Sequence, residues 1–191
     1  MKPVLSYVLI LILSLLFCFG INILCGFSVI SSFLYIFIGA LFIFIFDAII
    51  AFLLHLIPQK SINYNAKFFN VNKNERKFYE KIGIRKWKDK IPEMGQLCHF
   101  KKDKISSNEL KYVDKFLVET CYAEIVHYGM IAVGLFIIII IPFEYVLNYS
   151  LPLVLINTFL NLPPILIQRY NRPKLLLLRQ RILKQKSEKD V

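Results

Sequence analysis

The sequence contains no G-x-S-x-G elbow, no H-x-x-x-x-D pair, no P-loop and no G-x-G-x-x-G fingerprint. Their absence removes the common serine-hydrolase, nucleotide and dinucleotide sites from what the sequence offers. Cysteine is scarce. Cys18, Cys25, Cys98 and Cys121 make no C-x-x-C pair and no zinc-ligand spacing. That argues against a zinc ribbon and against a disulfide framework. Cys18 and Cys25 lie in or beside an apolar run and read as small buried side chains. Acidic residues are few, 13 against 24 Lys and Arg, for a net charge of +11. Residues 26–29 and 142–145 carry no Lys or Arg at all.

What fills the chain instead is apolar. Of 191 residues, 57% are hydrophobic, and the mean hydropathy is +0.55. This is the composition of a polytopic membrane protein. Four apolar segments stand out, at about 4–25, 30–57, 122–141 and 146–168. Each approaches or exceeds the roughly 20 residues a helix needs to cross the hydrocarbon core. In lipid the backbone must satisfy itself, so these segments are expected to be helices. The first run is too long for a signal-peptide core and lacks a small-x-small cleavage site, so it reads as a retained helix. The fourth contains Pro152, Pro163 and Pro164 and is expected to break or kink near its end.

The basic residues fix an expected orientation. Fifteen Lys and Arg lie in the 58–121 loop and eight in the tail from Arg169, with Lys2 alone at the start. Four crossings put all three on one side, and the positive-inside rule makes that side cytoplasmic. The expected fold is therefore all-α and polytopic, with both termini cytoplasmic. It divides into a hairpin at 1–57, an amphipathic loop at 58–121, a second hairpin at 122–168 and a basic tail at 169–191. A helix is expected from Ser107 to Glu119, capped by Ser107 or Asn108. Its apolar face is Leu110, Val113, Phe116 and Leu117, and it is free to run on into the third segment. The loop and the stretch Leu175 to Ile182 read as amphipathic elements on the leaflet surface.

Ionisable groups in membrane segments are costly and default to functional candidates. Asp47, His55, Glu124 and His127 qualify. At roughly 100° per residue, Glu119, Thr120, Ala123, Glu124 and His127 share one side of a helix. Glu124 and His127 are one turn apart, and a carboxylate beside an imidazole raises its basicity. Such a pair suits a general base acting on a hydroxyl nucleophile. The ordinary alternative is a polar contact that merely ties helices together. Glu-x-x-His is also half of a di-iron motif, but that fold needs two copies and one is present. No metal or cofactor is expected.

Two basic clusters flank these groups. In "IRKWKDK", Arg85, Lys86, Lys88 and Lys90 surround Trp87, which suits anionic headgroups or phosphates. From composition alone, ordinary positive-inside anchoring is the favoured reading. "QRYNRPK" is less ordinary, because a plain stop-transfer signal needs neither Gln168, Tyr170 and Asn171 nor a closing Pro173 between Arg169 and Arg172. Nucleic acid is a poor partner for a surface held against a membrane.

Three motifs in order, "RKWKDKIPEMGQL", "ETCYAEIVHY" and "NLPPILIQRYNRPKLLLLRQRIL", resemble the glycosyl-4,4'-diaponeurosporenoate acyltransferase family. The similarity spans about residues 78–184. It runs through Arg85, Lys86, Trp87, Lys88, Lys90, Gly95, Gln96 and Leu97, then Glu119, Thr120, Ala123, Glu124 and His127. It ends with Asn161, Pro163, Gln168, Arg169, Tyr170, Asn171, Arg172 and Pro173. Tyr128 stands where the family tends to have Trp, and Lys174 replaces an Arg. Asp47 and His55 have no place in the pattern.

The resemblance implies transfer of a fatty acyl group to a sugar hydroxyl of a glycosylated carotenoid acid or similar isoprenoid glycolipid. On that reading His127 and Glu124 are catalytic. Glu119 binds or orients the sugar. Arg85, Lys86, Trp87, Lys88, Gln168, Arg169, Tyr170, Asn171 and Arg172 bind substrate. The acyl donor is a co-substrate, with acyl-CoA as the candidate. The partners are a membrane lipid acceptor, the donor and anionic lipid headgroups. Two other readings remain open from the sequence: a non-catalytic membrane adaptor or lipid-binding protein, and an enzyme of another type acting on isoprenoid lipids.

Overall fold

The structure, a computed structural model, describes residues 3–91 and 110–188. The expected caps Ser107 and Asn108, the turn after Ile91, and Gly95, Gln96, Leu97 and Cys98 lie outside the described residues. The described residues are helical, without strands. Three helical runs are long and apolar enough to cross a membrane: Val29–His55, Leu110–Ile140 and Phe143–Ser187. A shorter apolar helix covers Val8–Leu24. Length and composition together mark a membrane protein. The chain divides into two compact units, residues 1–56 with 126–162 and residues 57–125 with 163–191.

In the first unit, α1 (Pro3–Leu24) turns into α2 (Val29–His55). Gly26 sits at φ 87° in that turn, a left-handed conformation that side chains with a Cβ resist. The α2 helix is apolar on every face, yet only Ser32, Ile36 and Gly39 are buried. These recur at helical spacing and include two small residues, the pattern of close helix packing in lipid. A Cβ on Gly39 would meet Leu153 Cδ1 at 2.4 Å. The core gathers Cys18, Ile36, Ile137, Ile141, Tyr149 and Leu153. Two polar groups inside it are paired: Ser32 Oγ lies 3.1 Å from the Tyr149 hydroxyl, and Asn22 donates to the carbonyl of Asn148 at 3.0 Å. Large apolar side chains such as Phe17, Phe44 and Ile30 point outward, where a membrane protein meets acyl chains rather than water. Cys18 is buried as expected, but Cys25 is exposed, because it falls in the turn rather than in a helix.

The second unit is built on α3 (Lys73–Lys81), the short α4 (Ile84–Trp87), the start of α5 (Leu110–Leu135) and the end of a long helix, Leu151–Ser187. A short helix, α6 (Ile137–Ile140), follows α5, and the long helix is numbered α7. Asn72 caps α3, its side chain accepting from the Glu75 amide at 2.8 Å. Gly83, at φ 62°, separates α3 from α4. Val113, Phe116 and Leu117 of α5 are buried against Leu175 and Ile182 of α7. Both stretches had the amphipathic pattern of leaflet-lying elements; here their apolar faces cover each other. Asp114 and Arg179 pair beside this core, with the Tyr64 hydroxyl donating to Asp114 at 3.2 Å.

The fourth segment, expected to break or kink near its end, stays helical throughout. The α7 helix runs 37 residues with Pro163, Pro164 and Pro173 inside it. Apolar helices tolerate interior proline when neighbouring groups satisfy the backbone that proline leaves unpaired. The "QRYNRP" stretch therefore lies within a continuous helix, not at the end of a broken one.

Candidate active site

In the second unit the side chains of α3, α5 and α7 form a buried charge cluster. Glu124 on α5 is fully buried and Arg172 on α7 is 1% exposed. Glu124 Oε1 accepts from Arg169 Nη1 at 2.6 Å, and its Oε2 lies 2.6 Å from Arg172 Nη2. Arg169 also binds Glu75 of α3 through Nε and, at 3.0 Å, through Nη2. Its remaining donors reach the carbonyls of Phe68 and Asn70 at 3.2 and 3.1 Å. Arg172 donates to Thr120 Oγ1 at 3.2 Å, to the Thr120 carbonyl at 3.1 Å and to the Phe69 carbonyl at 3.1 Å. Its guanidinium also stacks 5.0 Å above the Phe69 ring. Two carboxylates and two guanidinium groups are thus balanced in charge, as burial requires.

Glu75 sits at the edge of this cluster. Burial pushes its carboxyl up, but hydrogen bonds from Arg169 and Tyr79, together with the Arg169 charge, outweigh that and hold it below the ordinary range. Burial, then the bond to Glu75, pushes the Tyr79 phenol well above its usual value. Tyr79 meets Tyr170 edge-on at 6.3 Å, and Lys174 Nζ lies 3.8 Å over the Tyr170 ring.

The remaining expected residues of this unit fall into four groups. Trp87 donates from Nε1 to the Ile82 carbonyl at 3.1 Å and packs on the core of Tyr79, Ile84 and Ile167. Arg85 and Lys86 are exposed, and Lys88 pairs with Asp89 at 2.6 Å. Gln168 is buried, and its Oε1 has no hydrogen-bond partner among the described residues. Glu119 and Asn171 are half-buried.

His127 belongs to the first unit and has different company. Its Nδ1 lies 2.8 Å from Asn161 Oδ1. Asn161 Nδ2 donates to the Asn157 carbonyl at 3.0 Å and to Asn157 Oδ1 at 2.8 Å. Asn157 Nδ2 in turn donates to the Met130 carbonyl at 2.9 Å. Elsewhere in this unit, Asp47 keeps a buried Oδ1 without a hydrogen-bond partner among the described residues, and His55 is exposed with Nδ1 at 2.7 Å from the Ala51 carbonyl. An open groove of about 300 Å³ is lined by Phe42, Phe46, Val133, Phe136, Ile139 and Ile140. It is apolar throughout and contains none of the expected site residues. Among the described residues no three His, Cys, Asp or Glu side chains gather as a metal site would need.

Sequence reasoning missed Glu75, Asn157 and Asn161 as partners of the candidate residues. Glu75 lies 94 positions from Arg169, beyond any local pattern. The two asparagines left a signal: polar residues four apart inside "LINTFLNLPP" are as unusual in lipid as a charged one.

The profile of the family glycosyl-4,4'-diaponeurosporenoate acyltransferase matches residues 60–181, which include the candidates from Arg85 to Arg172 and leave out Asp47 and His55. A glycosyl-4,4'-diaponeurosporenoate acyltransferase of Staphylococcus aureus (strain bovine RF122 / ET3-1) is 35% identical over 140 residues, 69% of this chain and 76% of the relative. The protein of the same name from strain MRSA252 is 33% identical over 137 residues, 69% of this chain and 76% of the relative. No solved structure matches. With a match across more than half its length, in the region holding the buried Glu–Arg cluster and the His127–Asn161 pair, the chain belongs to the glycosyl-4,4'-diaponeurosporenoate acyltransferase family and is an acyltransferase.

Proposed function

We propose that this acyltransferase esterifies a sugar hydroxyl of a glycosylated carotenoid acid, or a similar isoprenoid glycolipid, with a fatty acyl group. The observation that carries the reading is the family match over residues 60–181. Its relatives bear the name of an enzyme acting on glycosyl-4,4'-diaponeurosporenoate. An acceptor of that kind has a long apolar body and a polar sugar, which suits a protein with several long apolar helices.

The reaction needs a base, a donor site and a group to meet the oxyanion. His127 takes the proton of the acceptor hydroxyl as the oxygen attacks the acyl carbonyl. The tetrahedral oxyanion collapses, the ester forms and the donor's leaving group departs; for acyl-CoA, the candidate donor, that group is the thiolate of coenzyme A. Arg169 already spends its donors on two carboxylates and two carbonyls, so it has none to spare for an oxyanion, and Asn171 is assigned to binding the acyl donor. Arg169 and Arg172 hold Glu124 and set the wall of the donor site, together with Gln168 and Tyr170. Arg85, Lys86 and Lys88, around the core-packed Trp87, meet the anionic part of the donor or anionic headgroups. Glu119 orients the sugar. The charge bias of loop and tail supports four crossings of the bacterial cell membrane with both termini cytoplasmic, the side on which acyl-CoA is available.

Expression in a host that accumulates the glycosyl ester but lacks an acyltransferase tests this reading. Mass spectrometry of the lipid extract is expected to show the ester's mass raised by one fatty acyl group. Unchanged glycosyl ester in cells containing folded protein contradicts it.

A further inference from the structure

Two backbone carbonyls decide the protonation pattern around His127. A carbonyl only accepts, so the Asn157 side-chain atom facing the Met130 carbonyl at 2.9 Å is its nitrogen. The other end of the Asn157 amide is then an oxygen. The Asn161 side-chain atom facing the Asn157 carbonyl at 3.0 Å is likewise a nitrogen, and the same nitrogen meets Asn157 Oδ1 at 2.8 Å. What Asn161 offers His127 is therefore its oxygen, 2.8 Å from Nδ1. An amide oxygen has no proton to give. The proton between them belongs to the imidazole.

We infer that Asn161 is a positioning residue that holds neutral His127 as the Nδ1–H tautomer, leaving Nε2 as the nitrogen that accepts a proton. This deepens the proposed function, since the catalytic meaning of the tautomer rests on His127 acting as base. A neutral amide serves this purpose well in an apolar helix. Asn157 and Asn161 are 4% and 5% exposed, and an aspartate in their place would bring a charge into the membrane segment. The tautomer of a catalytic histidine is set by the hydrogen bond at its other nitrogen, and here that bond is anchored through two amides to the backbone of the helix that carries His127. Gly134 is part of the arrangement. A Cβ there would lie 2.2 Å from Asn157 Nδ2 and 3.1 Å from its Cγ, so a larger residue obliges the amide that orients Asn161 to shift.

Nitrogen-15 spectra of histidine-labelled protein in detergent test the inference directly, with His127→Gln identifying the resonances of His127. At a pH where the ring is neutral, a protonated Nδ1 and an unprotonated Nε2 are expected. A proton on Nε2 in the wild-type spectrum overturns the inference. Asn161→Leu removes the acceptor, and Gly134→Ala displaces Asn157 without touching His127 or Asn161. Both are expected to shift the tautomer balance toward Nε2–H and to lower kcat by roughly ten- to a hundredfold with little change in KM. An unaltered His127 spectrum in both folded variants also overturns it. The wild-type spectrum stands by itself if either variant fails to fold. Activity of His127→Ala reports separately on whether His127 is the base, so the two readings fail independently.

Discussion

The two polar assemblies of this protein meet the same difficulty, polar groups inside an apolar chain, by opposite means. The second unit buries charge and cancels it, Glu75 and Glu124 against Arg169 and Arg172. The first buries neutral amides and links them to backbone carbonyls, His127 through Asn161 and Asn157 to Met130. A charge cluster is strong but brittle, because removing one member strands the others. An amide chain contributes less to stability but fixes the hydrogen bond at one imidazole nitrogen. The Glu–Arg cluster ties α3, α5 and α7 together, and the amide chain ties His127 to the backbone at Met130.

Substitutions separate the two. Arg172→Leu has the largest expected effect on stability. It leaves Glu124 buried with Arg169 as its remaining ionic partner, at a cost of about 3–5 kcal/mol, seen as lost expression or a lowered midpoint in thermal unfolding. Glu75→Gln comes next, at about 1–3 kcal/mol, because Glu75 is at the cluster's rim with 20% of its side chain exposed. It also changes the pH response. The folded-state carboxyl lies below its ordinary value, so its contribution is complete above the normal carboxylate range and is lost as pH falls through that range. Acid unfolding of wild type is therefore steeper below about pH 5 than that of Glu75→Gln. Arg85→Ala with Lys86→Ala is the mildest. Both side chains are exposed, so stability is expected to stay within about 0.5 kcal/mol, while the KM for an anionic acyl donor rises. An unchanged KM removes them from donor binding.

Much of this was legible in the sequence. Runs of apolar residues long enough to span lipid gave the helices, since nothing else satisfies a backbone there. Helical spacing placed Thr120 and Glu124 on one side, and both meet Arg172. The same spacing suggested that Glu124 orients His127, yet the partner at Nδ1 is Asn161, 34 positions away. Periodicity reports which residues share a face; it does not report what that face meets. The prolines misled for a related reason. Their local cost was counted, but α7 remains helical through all three, because in an apolar setting the surroundings decide whether a helix survives. The family resemblance reached further than either argument, since it drew residues 85, 124 and 172 into one set without reference to contact.

The role of His127 is open to a single assay. Membranes containing wild type or His127→Ala, matched for folded protein, are supplied with glycosylated carotenoid acid and a labelled acyl-CoA, and the ester is counted. A loss of roughly 100- to 10,000-fold with the helical content intact is the expected result for a general base. Acylation near the wild-type rate would contradict it.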